Sequence, residues 1–305
     1  GASWKVYLGS NQGGNAMSAV TAIPKKLRLI LDSIRFEHTV FALPFAYLGM
    51  VLAADGLPTL AQFIWITVAM AAARTLAMSA NRIIDRRIDA ENPRTASRPL
   101  PEGRLKLWEM TALSTVSLAV FLVAAAMLNT LTLALAPVAV VVVVGYPYTK
   151  RFTWTSHFIL GWADGIAPAG AWIAVTGSLS WEPVLMAFAV ATWIGGFDML
   201  YSCQDRDFDI QRGLHSIPQK WGIAAAMRWA KAMHVLTVLS LLALGPWLGL
   251  GFPYYIGWAL AAGLLVYEHR LVSPTDLSRL NMAFFNINGY IAIIVFGFTF
   301  ASIYV

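Results

Sequence analysis

Nine apolar stretches, each near the length of a membrane-crossing helix, constrain this chain more than any other feature. They run over roughly 38–54, 59–80, 107–127, 129–146, 157–177, 183–203, 225–248, 253–268 and 282–303. About 20 apolar residues carry a helix across a hydrocarbon core. The 129–146 stretch, with its Val140–Val144 run, would suit a strand in water. In lipid a lone strand leaves its backbone groups unpaired, so helix is expected there too. Charged residues are 12% of the chain, about half the share in soluble domains. The expected class is an all-α, multi-pass membrane protein.

The connecting loops alternate in charge. Lys25, Lys26, Arg28 and Arg35 precede the first stretch. Arg82 to Lys106 follow the second, Lys150 and Arg151 the fourth, Arg206 to Lys231 the sixth, and Arg270 and Arg279 the eighth. The loops at 54–58, 128–130, 177–181 and 249–253 carry no Lys or Arg. Cytoplasmic loops collect these residues, so the N-terminus and the basic loops are expected inside. With nine crossings the C-terminus lies outside. The formal charge of +6 then reports topology and an anionic partner, not nucleic acid. Residues 1–16 are polar and rich in Gly, Ser and Asn, with no cleavable signal. They are expected to be an appended remnant or a disordered tail, with Met17 as a start and 17–305 as one transmembrane domain. The single cysteine, Cys203, excludes an intrachain disulfide and any multi-cysteine metal site, and it suits a small filler.

Two acidic clusters close apolar stretches. The first is Asn81-x3-Asp85-x3-Asp89; the second is Asp198-x2-Tyr201-x3-Asp205-x3-Asp209. At 100° per residue, Arg74, Asn81 and Asp85 fall within about 40° on one helix face, with Asp89 about 60° beyond Arg74. Asp198, Tyr201, Asp205 and Asp209 fall within about 80°, and Asp207 points the other way. Carboxylates beside lipid are costly and usually functional. Hard divalent cations take oxygen ligands, and Mg²⁺ typically joins one or two carboxylates to substrate phosphates. The pattern points to an intramembrane enzyme handling a lipid diphosphate. Solvated helix ends with charge pairs at i, i+4 are the plain alternative. Arg74 and Asp164 are charges inside apolar stretches, and so are candidate site residues. The loop from Asn92 to Arg104 is punctuated by Pro93, Pro99 and Pro101, so ordered loop is expected. Its Arg94 and Arg98 can clamp phosphate, as can Lys150. His38 and His215 are expected to be surface residues at helix mouths.

These motifs, with Arg94-Thr-x-x-Arg98-Pro99-Leu100 and Tyr148-Thr-Lys150-Arg151 between them, resemble the UbiA superfamily of membrane prenyltransferases. The resemblance runs from about Leu27 to the C-terminus. One departure is Arg82, where many members carry Asp after the motif Asn. The resemblance implies a bundle of nine transmembrane helices around a central cavity, in a bacterial inner membrane. It implies two Mg²⁺ held by Asp85, Asp89, Asp205 and Asp209, with Asp198 counted among the catalytic carboxylates. Asn81, Lys150 and Tyr201 would contact the diphosphate of a polyprenyl donor, and Arg74 would line the cavity.

Gln204 to Asp209, Gly213 to Pro218 and Asn281-x2-Phe284-Phe285-x2-Asn288 look most like the 4-hydroxybenzoate polyprenyltransferase branch and its naphthoate-prenylating relatives in menaquinone synthesis. Both acceptors are aromatic carboxylates, which Arg74 can pair; Asp164 can orient the acceptor hydroxyl, take a proton, or pair with Arg74. A secondary transporter of an organic anion also fits intramembrane Arg74 and Asp164, but would place its site at the midplane. A CDP-alcohol phosphotransferase is disfavoured by the wide separation of the two clusters.

Overall fold

The computed structural model describes residues 25–282 and 286–305, without the side chains of 36–42 and 282. The expected tail 1–16, Met17, the His38 side chain, Phe284 and Phe285 lie outside the described residues. The helices are α1 Lys25–Ser33, α2 Phe36–Ala54, α3 Leu60–Glu91, α4 Leu107–Leu128, α5 Thr130–Thr149, α6 Ser156–Thr176 and α7 Glu182–Tyr201. A 3₁₀ turn at Ser202–Asp205 leads to α8 Arg206–Arg212, α9 Ile217–Trp221, α10 Ile223–Trp247, α11 Phe252–Leu271 and α12 Asn288–Ser302, with one turn of helix at Leu280–Met282 before α12. No strand occurs among the described residues; Ser273 and Asp276 form one isolated bridge.

The Val-rich 129–146 stretch lies within α5, as lipid requires. Among the described residues six helices are long and apolar enough to cross a membrane, counting α7 with its extension to Arg212. Among the described side chains, shorter apolar segments lie at Leu43–Ala54 in α2 and Asn288–Ser302 in α12. Six such helices are what length and composition show among the described residues; the nine crossings expected are neither reached nor excluded by that count.

Helix ends explain where the site falls. Thr59 caps α3 through a reciprocal bond with Gln62. From there α3 runs 32 residues, about 48 Å, well beyond the ~30 Å core. Its last turns, which exceed that length, carry Asp85 and Asp89. At the opposite end, the Asn129 amide donates to Ile173 O at 2.9 Å and Ala174 O at 3.0 Å, while its Oδ1 accepts from Thr132 N at 2.8 Å. That one side chain caps α5 and pins it to the end of α6.

The core lies around α7. Val190, Ala191, Thr192, Trp193 and Ile194 are all buried in sequence. Small residues let α6 approach α7 at backbone distance. A Cβ on Gly161 would overlap Ala191 O, and one on Gly165 would stand 2.6 Å from Ala187 O. Val138 and Val141 on α5 and Val116 on α4 are exposed, as lipid-facing side chains are.

Candidate active site

The two acidic helix ends line one cavity of about 250 Å³. Its wall holds five aspartates, Asp85, Asp89, Asp198, Asp205 and Asp209, and the cations Arg82, Arg94, Arg98 and Lys150, with Asn81, Tyr146, Tyr201 and His157. Asp85, 2% exposed, is the most engaged of the aspartates. Lys150 Nζ lies 2.7 Å from its Oδ2 and Arg151 Nη2 2.9 Å from its Oδ1, and the Asn81 amide donates to Oδ2 at 3.3 Å. Asn81 is oriented in turn by Arg82, whose Nη1 donates to Asn81 Oδ1 and whose Nε donates to Ser33 O, both at 3.0 Å. Arg82 thus docks α1 against the site.

The 92–105 segment folds inward through local bonds. Arg94 N donates to Asn92 Oδ1 at 2.9 Å, and Thr95 Oγ1 donates to Asp89 O at 2.9 Å. Arg98 then reaches Asp89 at 2.7 Å. Arg94 crosses to the other cluster, its Nε and Nη2 meeting Asp205 at 2.8 and 2.6 Å. Its Nη1 donates to Tyr201 OH at 3.3 Å, and the guanidinium stands 5.3 Å from the Tyr201 ring centre. The Asn92 amide adds a 3.0 Å bond to Asp205. Burial opposes a charge on Arg94, but the Asp205 fork outweighs it and holds the guanidinium above its ordinary range.

The second cluster departs from the expected continuous helix. The 3₁₀ turn at Ser202–Asp205 winds more tightly than an α-helix, so Asp205 and Asp209 are rotated away from the stripe set by Asp198. They still face the same cavity. Gly213 ends α8 at φ 64°, a left-handed conformation that glycine adopts freely. The chain returns across the end of α5, where His215 N donates to Lys150 O at 2.7 Å. Ser216 Oγ donates to Asp209 Oδ2 at 2.8 Å. Asp198 meets His157 Nδ1 at 2.6 Å.

His215 is not the surface residue expected. It lines the cavity, and its Nδ1 is buried without a hydrogen-bond partner. Asp207 is 86% exposed and pairs with Arg206. Arg151, His157 and Asn92 were missed as site residues. Asn92 lies one helical step beyond Asp89 and was within reach of the stripe argument; Arg151 stands in the Tyr148-Thr-Lys150-Arg151 motif but was given no role, and His157 belongs to no spacing pattern.

A second cavity, of about 300 Å³, adjoins the first, with Tyr146 and Leu160 lining both. Its wall is almost wholly apolar, built from α2 to α6, with Thr132 and the charged pair Arg74 and Asp164. Arg74 Nη1 lies 3.5 Å from Asp164 Oδ1, and Arg74 Nε is buried without a partner. Val138, exposed on α5, also lines this chamber, which opens it toward lipid.

Among the described residues no three His, Cys, Asp or Glu side chains converge as a ready-made metal cage. Asp85, Asp89 and Asp205 instead carry Lys or Arg partners. The oxygen-only acidic donors suit a hard divalent ion, which would take the place of those basic groups.

Residues 42–290 match the model of the UbiA prenyltransferase family. The chain is 32% identical over 252 residues to a 4-hydroxybenzoate octaprenyltransferase of Aliivibrio fischeri, covering 81% of this chain and 86% of that protein. It is 34% identical over 245 residues to one of Aeromonas salmonicida, covering 80% and 84%. The fold is similar to the apo structure of a UbiA homologue from Aeropyrum pernix K1, with TM-score 0.80, 36% identity and coverage of 86% and 96%. It also matches a UbiA homologue from Archaeoglobus fulgidus bound to GPP and Mg²⁺, with TM-score 0.68, 18% identity and coverage of 91% and 100%, a likeness that shows the fold alone. The long apolar helices and the breadth of these matches make the chain an integral, multi-pass membrane prenyltransferase that belongs to the UbiA prenyltransferase family.

Proposed function

We propose that this protein transfers a polyprenyl group from an allylic diphosphate to an aromatic carboxylate such as 4-hydroxybenzoate, with Mg²⁺, in quinone biosynthesis. The observation that carries this reading is the junction of a charged cavity with an apolar one across Tyr146 and Leu160. One suits a diphosphate, the other an isoprenoid tail and an aromatic acid. The names of the bacterial relatives support the acceptor.

Lys150, Arg94, Arg98, Asn81 and Tyr201 would grip the diphosphate. The five aspartates of the charged cavity outnumber its four cations, so a bound diphosphate needs further positive charge. Asp85, Asp89, Asp205 and Asp209 would hold two Mg²⁺. The metal supplies neutralisation of the negative charge that grows on the departing diphosphate. The allylic C–O bond breaks, a ring carbon of the acceptor forms the new C–C bond, and that carbon's proton leaves. The apolar chamber keeps water from the carbocation. Arg74 has donors to spare beyond its single contact with Asp164, and pairs the acceptor carboxylate; Asp164 orients the hydroxyl or takes the proton. The bundle is proposed to comprise nine crossings and one domain over 17–305. Its basic loops, its N-terminus and the mouth of the site face the cytoplasm of a bacterial inner membrane.

Membranes carrying the protein, given geranyl diphosphate and radiolabelled 4-hydroxybenzoate, are expected to move label into the organic phase with Mg²⁺ and to lose that transfer in EDTA. Metal-independent uptake of unaltered label into sealed vesicles would instead mark an anion transporter. A naphthoate acceptor assayed in parallel decides between the two quinone routes. A second outcome tests the acceptor chamber. Arg74→Ala is expected to raise the acceptor KM by about 10-fold or more, with a much smaller change in the donor KM. Equal changes in both would remove Arg74 from acceptor binding.

A further inference from the structure

Two aspartates of the charged cavity, Asp198 and Asp209, have no Lys or Arg partner among the described residues. One imidazole bonds to the first directly and to the residue next to the second one's serine partner. His157 lies on α6, 3% exposed. Its Nδ1 meets Asp198 Oδ2 at 2.6 Å on α7. Its Nε2 lies 3.3 Å from the backbone N of Ile217 at the start of α9. The residue before Ile217 is Ser216, whose hydroxyl holds Asp209.

The tautomer follows from these bonds. A backbone N–H only donates, so Nε2 accepts and carries no proton. The proton of the neutral ring is then on Nδ1, which donates to Asp198. This differs in kind from the Arg94, Arg98 and Lys150 contacts. Those place a full positive charge against each carboxylate; a neutral imidazole fixes Asp198 in place and leaves its charge uncompensated. Positive charge develops on the allylic carbon as the C–O bond breaks, and an uncompensated anion held rigidly nearby lowers the energy of that state. Burial of the ring and its two bonds to separate elements supply the rigidity.

We infer that His157 is a positioning residue for prenyl transfer, which orients Asp198 directly and Asp209 through the Ser216–Ile217 backbone. This rests on the reading of the charged cavity as the diphosphate site. The role is one of placement: the imidazole exchanges no proton with substrate in this scheme.

The test uses the full chain in membranes with geranyl diphosphate, Mg²⁺ and 4-hydroxybenzoate, comparing His157→Asn, His157→Gln and His157→Phe. The Asn amide N–H replaces the Nδ1 donor to Asp198; the Gln amide reaches the Nε2 position instead. His157→Phe is expected to lower kcat about 10- to 100-fold, the loss typical of a hydrogen bond to a charged group, with both KM values changed by less than about threefold. His157→Asn is expected to recover most of kcat, and His157→Gln to recover little, at matched thermal stability. Equal kcat for the Asn and Gln variants would reduce His157 to packing and overturn the inference. So would a His157→Phe protein within about threefold of wild-type kcat. If the Phe variant does not accumulate, the Asn–Gln contrast decides alone. A wild-type protein with no turnover would overturn the prenyl-transfer reading, and this inference with it.

Discussion

Asp205→Asn is expected to lower kcat/KM about a thousandfold or more while leaving the bundle folded. The side chain stands where the two acidic clusters meet. Asn92 and Arg94 from the end of α3 and its loop both bond to it. In the proposed reaction it turns from Arg94 to metal. Asparagine keeps the shape and the bond from Asn92 but removes the charge that holds a divalent ion. Several kcal/mol of transition-state stabilisation depend on that ion, and each 1.36 kcal/mol is about tenfold in rate. The folding cost is small by comparison. Arg94 and Asp205 side chains are 32% and 16% exposed, and solvent screening limits such a pair to about 1 kcal/mol. Asp85 would be a poorer choice: at 2% exposure with two half-buried cations and the Asn81 amide bonded to it, its loss unpairs three groups at once and confounds folding with chemistry. The check is steady-state kinetics beside a melting curve in detergent. Turnover within about tenfold of wild type at Asp205→Asn would remove this carboxylate from the catalytic machinery.

Gly161→Val is expected to cause a large loss of stability although it lies away from the charged cavity. No Cβ fits at Gly161, because it would overlap the Ala191 carbonyl oxygen across the α6–α7 contact. The obstacle is backbone on α7, which cannot swing aside as a side chain does. The two helices must separate, and Gly165 against Ala187 one turn along loses its fit as well. Overpacking of this kind costs about 1–3 kcal/mol or more, or roughly 2–6 °C of melting temperature for a chain of this size. Activity should fall with it, since α6 carries His157 and Asp164 and α7 carries Asp198. Gly263→Ala provides the contrast: nothing lies within 4 Å of a Cβ there, and alanine also favours helix. A Gly161→Val protein melting within about 1 °C of wild type would show that α6 and α7 are not held at backbone contact.

How much of this was legible beforehand depends on the range of each signal. Asn81, Asp85 and Asp89 share a face because helical periodicity links residues four apart, and that arithmetic needs no tertiary information. The same arithmetic slipped at Asp205 and Asp209, where the chain leaves the α-helix for a 3₁₀ turn. Asn92 was accessible by extending the stripe one step. His215 was misjudged because a lone histidine in a basic loop carries no mark of the turn at Gly213 that sends it back over Lys150.

What the amino-acid order determined by itself is the class and the grouping of charge: helices, because lipid leaves the backbone no other partner, and acidic, basic-flanked clusters where apolar stretches end, because charges are costly inside them. What only the packed bundle decided is which charge meets which. Arg94 faces Asp205 at a separation of 111 positions, Lys150 faces Asp85 at 65, and His157 faces Asp198 at 41. Those partners follow from how each helix is rotated and how deep it sits against its neighbours. Rotation and depth are set by backbone contacts such as Gly161 on Ala191, which depend on three dimensions at once and leave no period in one.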